Sequence, residues 1–194
     1  MGTNALLVPT ELVSLLGVVI SNKEGEPALI CDDNKLAGFL ASHGLQTDFS
    51  SPHGDKEIKG IIQKYGTKIT YIVYYEAGLA LCFQRVSSGK ALLESIEIYN
   101  TDRKYKAVAS TLLPFKGLTH ATTASELIEA YMEPTEKGGG VTAGIDIWLR
   151  WSQLSISTHE GEPTTISIDV QISDRSWQTG GGSVWKSMTI SLTS

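Results

Sequence analysis

The chain has 194 residues, 41% hydrophobic and 19% charged, a globular composition with enough length for a sizeable core, which argues against wholesale disorder. The formal net charge is -5, and no cationic cluster is denser than Arg103-Lys104-Tyr105-Lys106, so a phosphate-tracking surface is not expected and nucleic acid is set aside as a partner. Two cysteines with no Cys-x-x-Cys spacing give no zinc signature.

Met1 to Val8 carries no basic residue and no long apolar run, and Leu12 to Ile20 is short and interrupted by Ser14 and Gly17. Neither reads as a signal peptide or a membrane span. No Asn-x-Ser/Thr sequon occurs. The expectation is a cytoplasmic or other reducing environment, with Cys31 and Cys82, each among apolar neighbours, as reduced and buried thiols.

In chain order, Thr10 can cap a short helix over Glu11 to Leu16, ended by Gly17. Short strands are expected at Val18 to Ile20 and Ala28 to Cys31. Asp32 or Asp33 caps a helix through Leu36, Phe39 and Leu40 to Gly44, and Gln46 to Gly54 is a loop. Asp55 opens a further predicted helix, with Ile58, Ile61 and Ile62 at helical spacing and Gly66 as its stop. The period then becomes two. Ile69, Tyr71, Val73 and Tyr75 alternate with Thr70, Ile72 and Tyr74; Leu79 to Phe83 and Ile96 to Ile98 complete a three-strand meander. Asn100 to Pro114 is a connector pinned by Leu112, Leu113 and Phe115. Thr122 or Thr123 caps a helix through Leu127, Ile128 and Tyr131, closed by Pro134 and Gly138-Gly139-Gly140. Strands follow around Ile145 to Trp151, Leu154 to Ile156, Ile166 to Ile172 and Val184 to Leu192.

A faint internal repeat runs through this order. Thr10-Glu11-Leu12-Val13 matches Ser125-Glu126-Leu127-Ile128, and Tyr71 to Tyr75 matches Ile147 to Trp151. Leu79 and Leu81 match Leu154 and Ile156, and Ser95 to Ile98 matches Ser187 to Ile190. The expected fold is therefore α+β: tandem helix-plus-antiparallel-meander units at residues 1–101 and 102–194, about seven strands, helices on one sheet face, in one body. The first unit has extra helices before its sheet; the second has an extra strand and a long loop.

Leu113-Pro114-Phe115-Lys116-Gly117-Leu118, a helix, Glu133-Pro134 with its Gly-rich run, then Ile145 to Trp151 resembles a pattern in uncharacterised soluble proteins. There a Leu-Pro-x-Gly-Leu segment leads a helix ending near Gly-x-Pro, a Gly-rich turn and a Trp-containing strand. The same half of the chain resembles the helix-plus-four-strand repeat of the SmpA/OmlA and β-lactamase-inhibitor-protein group. Glu133 stands where that pattern has Gly, and the secretion signal of those proteins has no counterpart in the reading above. The resemblance implies a binding or assembly scaffold.

The residue chemistry points the same way. His43, His53, His120 and His159 have no ligand-spaced partners, and Gly-x-Ser-x-Gly is absent. Gly138–Gly140 and Gly180–Gly182 precede strands rather than helices, so they read as turns and not phosphate loops. Asp32-Asp33-Asn34 lacks the glycine and glutamate of a calcium loop, and Asp169 and Asp174 fall on opposite faces of a regular strand. No catalytic, metal or cofactor residue is assigned. Parity instead sends Tyr74, Tyr99, Trp148, Arg150 and Trp185 to the outward sheet face. Aromatic residues and arginine there have the composition of a protein interface. The expected function is a non-catalytic protein-binding module: an inhibitor, immunity-type protein or assembly subunit, not membrane-bound, with homo-oligomerisation left open. The alternative is a small-ligand carrier or enzyme with its site between the units.

Overall fold

The structure, a computed structural model, describes residues 8–22, 29–30, 34–46, 58–87, 89–157 and 163–193. It shows an α+β protein dominated by antiparallel sheet. Among the described residues the order is β1 (Val19–Asn22), β2 (Leu29–Ile30), α1 (Asn34–Ser42), β3 (Leu45–Gln46), β4 (Ile58–Lys59), β5 (Ile61–Tyr65), β6 (Ile69–Tyr74), β7 (Leu79–Ser87) and β8 (Lys90–Tyr99). There follow α2 (Ala124–Tyr131), β9 (Glu136–Gly140), β10 (Ile145–Ser157), β11 (Pro163–Ile172) and β12 (Trp185–Leu192). No described helix is long and apolar enough to cross a membrane.

Eight strands lie in the order β5-β6-β7-β8-β12-β11-β10-β9; β1 joins the edge of β8, and β2 joins β1. Two four-strand meanders thus meet along their last strands, with Ile98 opposite Met188, Glu97 opposite Thr189 and Ile96 opposite Ile190. Side by side from that seam stand Ile98, Leu79 and Tyr74 on one side and Ile190, Ile168 and Trp151 on the other. Counted out from the seam, Tyr74 and Trp151 are each the third residue in these rows. Leu154 and Ile156, matched in the sequence with Leu79 and Leu81 of β7, belong to β10.

Several sequence expectations are corrected by pairing. The helix expected from Asp55 is absent from its described part, where Ile58–Lys59 and Ile61–Tyr65 are strands. The spacing of the three isoleucines suits a helix, but β-branching favours the strand, and Ile69 to Val73 offers a partner for Ile61 to Tyr65. The helix expected over Glu11 to Leu16 is only a 3-10 turn, Val13–Leu15. Thr10 does not cap it, and its hydroxyl donates to the Leu113 carbonyl at 2.9 Å. Two strands expected around Trp151 and Leu154 are one, because the extra residues form a bulge with Gln153 at φ 58°. Gly138–Gly140 is not a turn but part of β9. The described strands number twelve rather than about seven. The caps at Asp32 and Asp33 and most of the Gln46 to Gly54 loop lie outside the described residues.

One apolar cluster joins buried residues of the strands with those of other elements. Leu36, Phe39 and Leu40 of α1 and Leu127, Ala130 and Tyr131 of α2 belong to it, together with Leu112, Leu113 and Phe115 of the connector. Thr123 starts α2 with reciprocal bonds to Glu126, and the Thr123 backbone N–H, then its hydroxyl, hold the Glu126 carboxyl below its usual range. The Tyr131 ring meets Trp151 edge-on at 5.4 Å, and Trp151 Nε1 donates to the Met132 carbonyl at 2.8 Å.

Candidate functional site

Two of the five residues expected to face outward are core. Tyr74 is 0% exposed. It stands opposite Leu79, and Ile72 opposite Leu81, on the same side as Ile96 and Ile98. Both sides of β6 are apolar, so its own alternation could not choose; the neighbouring strand does. Trp185 is 0% exposed as well. The register shifts between Ile172 opposite Trp185 and Gln171 opposite Ser187, so the extra residue Lys186 turns Trp185 inward. Its indole N–H donates to the Thr119 carbonyl at 2.8 Å.

Tyr99, Trp148 and Arg150 do lie on the outer side. Tyr99, Ser187, Gln171, Trp148 and Gly138 form one row across the sheet. Glu97, Thr189, Asp169, Arg150 and Glu136 form the next. Trp148 lies so close on Gly138 that a Cβ there would come within 2.5 Å of the indole, which is why this strand carries glycine. Arg150 Nε donates to Asp169 at 2.5 Å and Nη1 to Glu136 at 3.3 Å, with the guanidinium 5.9 Å from the Trp148 ring centre. Trp148, Arg150 and Asp169 border a depression of about 410 Å³.

The first meander carries a denser cluster, most of which parity reasoning assigned to the core or did not consider. Of seven tyrosines in the chain, Tyr65, Tyr71, Tyr75, Tyr99 and Tyr105 gather here. Tyr99 and Tyr105 stack at 3.6 Å and 6°, Tyr75 meets Tyr105 at 4.8 Å, and Tyr65 meets Tyr71 edge-on at 5.6 Å. Tyr105 arrives from the connector, which is held by Lys106 N–H to the Tyr75 carbonyl (3.0 Å) and Val108 N–H to the Tyr99 carbonyl (2.7 Å). Gln63 Nε2 donates to the Tyr75 hydroxyl at 2.7 Å, and the Lys104 ammonium stands 4.7 Å above the Tyr75 ring. That ammonium pulls the Tyr75 phenol below its usual range. Tyr65, Tyr71, Tyr99, Tyr105, Glu97 and Lys104 border a depression of about 430 Å³. Glu97 accepts from the Tyr99 hydroxyl at 2.6 Å; burial, then this carboxylate, pushes the Tyr99 phenol well above its usual range. A sequence signal existed in the density of tyrosine between residues 65 and 105, but only the connector's path brings Tyr105 to the sheet.

A third depression, about 610 Å³, opens where the meanders join, bordered by Thr101, Ser173, Asp146, Arg175 and Lys186. Asp146 accepts from Lys186 at 2.7 Å and Arg175 at 3.1 Å, which hold its carboxyl below the usual range. His43 and His120 each bond a backbone carbonyl, of Phe39 at 2.9 Å and Val108 at 2.7 Å; His53 and His159 lie outside the described residues. Among the described residues, no three His, Cys, Asp or Glu side chains are grouped to hold a metal ion.

Cys82 is 4% exposed on the outer side of β7, opposite Tyr71 and Ser95. Burial pushes its thiol upward, so little thiolate forms at neutral pH. In the folded chain, iodoacetamide is expected to label Cys82 at least about tenfold more slowly than in denaturant; equal rates read by peptide mass spectrometry would show the thiol to be accessible. Cys31 lies outside the described residues.

The fold and this face define a sheet-dominated α+β protein with an aromatic, polar outer surface. Comparisons with family models, with curated proteins and with solved structures found no match to this chain.

Proposed function

We propose that this chain is a non-catalytic protein-binding module, of the inhibitor, immunity or assembly-subunit kind, that docks a partner on the outer side of its sheet. The observation that carries this is the gathering of five tyrosines with Trp148 on the side of the sheet away from the core. A solvated sheet face is ordinarily built of threonine, serine, lysine and glutamate. Tyrosine supplies large, rigid contact area with a polar tip at low conformational cost, which is why binding surfaces are rich in it. Ser187 and Gln171 stand between Tyr99 and Trp148 in one row, and Thr189 and Asp169 between Glu97 and Arg150 in the next, so polar residues link the two aromatic groups across the seam.

The architecture is consistent with two copies of one unit, broadly residues 1–101 and 102–194, each ending in a four-strand meander; the segment matched to α2 in the sequence is a 3-10 turn, and α1, β3 and β4 precede the first meander. The places of Tyr74 and Trp151, each third from the seam in its row, support that origin. The pattern also fits a scaffold whose inner face is spent on its own core and whose outer face is left for a partner.

The test uses Tyr65→Ala with Trp148→Ala, one residue from each depression. Tyr65 is 58% exposed and Trp148 is half-buried, so melting is expected to fall by no more than a few degrees. Capture of the partner by tagged protein in source-cell extract, quantified against wild type, should drop at least about tenfold, or roughly 1.4 kcal/mol. Undiminished capture by the folded double variant would place docking elsewhere.

A further inference from the structure

Both depressions set aromatic rings beside a carboxylate, but they differ in the cation that the carboxylate meets. In the second meander an aromatic ring, Trp148, and two carboxylates, Asp169 and Glu136, surround a guanidinium that the chain supplies itself, Arg150. In the first meander the outer aromatic of β6 is Tyr71, and Val73, two residues on as Arg150 is from Trp148, is buried. The carboxylate is present, however: Glu97 stands among the tyrosines, bonded by the Tyr99 hydroxyl at 2.6 Å. None of the ion pairs among the described residues includes Glu97. Lys104, the cation on the rim, bonds toward Tyr75 instead.

We propose that this depression is the seat of an arginine side chain from the partner, an inference that rests on the docking reading above. The chemistry is additive. Ring faces attract a cation through their quadrupoles, and the half-buried carboxylate adds a full negative charge at the same place. A guanidinium is flat, weakly hydrated and forked, so it can lie on a tyrosine ring while donating to Glu97; an ammonium cannot do both as well. The volume of about 430 Å³ is ample for one such side chain. The chain's net charge of -5 favours approach of a cationic partner over an anionic one.

The experiment is an NMR titration of the full chain with Nα-acetyl-arginine methylamide, set against the neutral citrulline analogue and the lysine analogue. The arginine probe is expected to shift the ring resonances of Tyr71, Tyr99 and Tyr105 saturably, at least about fivefold more tightly than citrulline, with lysine between them. Glu97→Gln, which keeps an acceptor for Tyr99, should remove the preference, and added salt should weaken it in wild type even if that variant folds poorly. Equal shifts by citrulline, or an arginine preference that survives Glu97→Gln, would overturn the proposal. No saturable shift, with partner capture still lost in the Tyr65→Ala/Trp148→Ala variant, overturns the arginine seat and leaves the docking surface standing. An arginine-selective shift with capture undiminished does the reverse.

Discussion

Tyr74→Ala is expected to destabilise the chain by about 3–5 kcal/mol, the usual cost of truncating a buried aromatic residue. Tyr74 is 0% exposed, packed in the row of Leu79 and Ile98, and the sheet around it cannot collapse into the void without breaking its ladder. At about 2–4 °C per kcal/mol for a chain of this size, the midpoint should fall by roughly 10 °C. Tyr65→Ala, one strand away on the outer side, should cost less than about 1 kcal/mol, because a 58% exposed ring has little burial to lose. Urea unfolding of the two variants side by side decides the matter. A Tyr74→Ala protein as stable as wild type would mean that the inner and outer sides of β6 have been exchanged.

Gly78→Ala should cost about 3 kcal/mol and also disturb the tyrosine cluster. Gly78 has φ 61°, where a side chain costs about 1–2 kcal/mol. A Cβ there would also run into the Lys106 carbonyl and lie 2.6 Å from the Val108 nitrogen, so the connector must move, at about 1–3 kcal/mol for an overpacked contact. That connector sets Tyr105 on Tyr99 and Lys104 over Tyr75. The near-ultraviolet circular dichroism of the stacked tyrosines should therefore weaken along with the loss of stability. A variant within about 0.5 kcal/mol of wild type, with its tyrosine signal intact, would show that the close crossing at Gly78 is not needed.

The sequence by itself determined the elements whose signals are local. Of the two caps expected, Thr122 or Thr123, it is Thr123 that starts α2, and its partner Glu126 lies within the same turn, so the signal is local. Ile147, Leu149 and Trp151 define an inner side because Trp148 and Arg150 between them are the larger polar or amphipathic choice, and all five fall where alternation puts them. The connector's anchors, Leu112, Leu113 and Phe115, are buried for the same reason: a loop with three large apolar residues has no better place for them.

Tertiary structure decided whatever depended on a neighbour. On β6 both sides are apolar, so the choice between Tyr74 and Tyr71 for the core was made by Leu79 and Leu81 across the ladder. At Trp185 one inserted residue reversed a parity that Met188 and Ile190 had made clear. At Ile61 and Ile62 the spacing suited a helix, and a pairing partner made it a strand. The candidate site follows the same rule. Its tyrosines come from β5, β6, the turn after β6, β8 and the connector, up to forty positions apart in the chain. Alternation along one strand carries information over two residues, whereas register and the crossing of the connector over Gly78 are properties of pairs of segments. For that reason no single stretch of this sequence contains them.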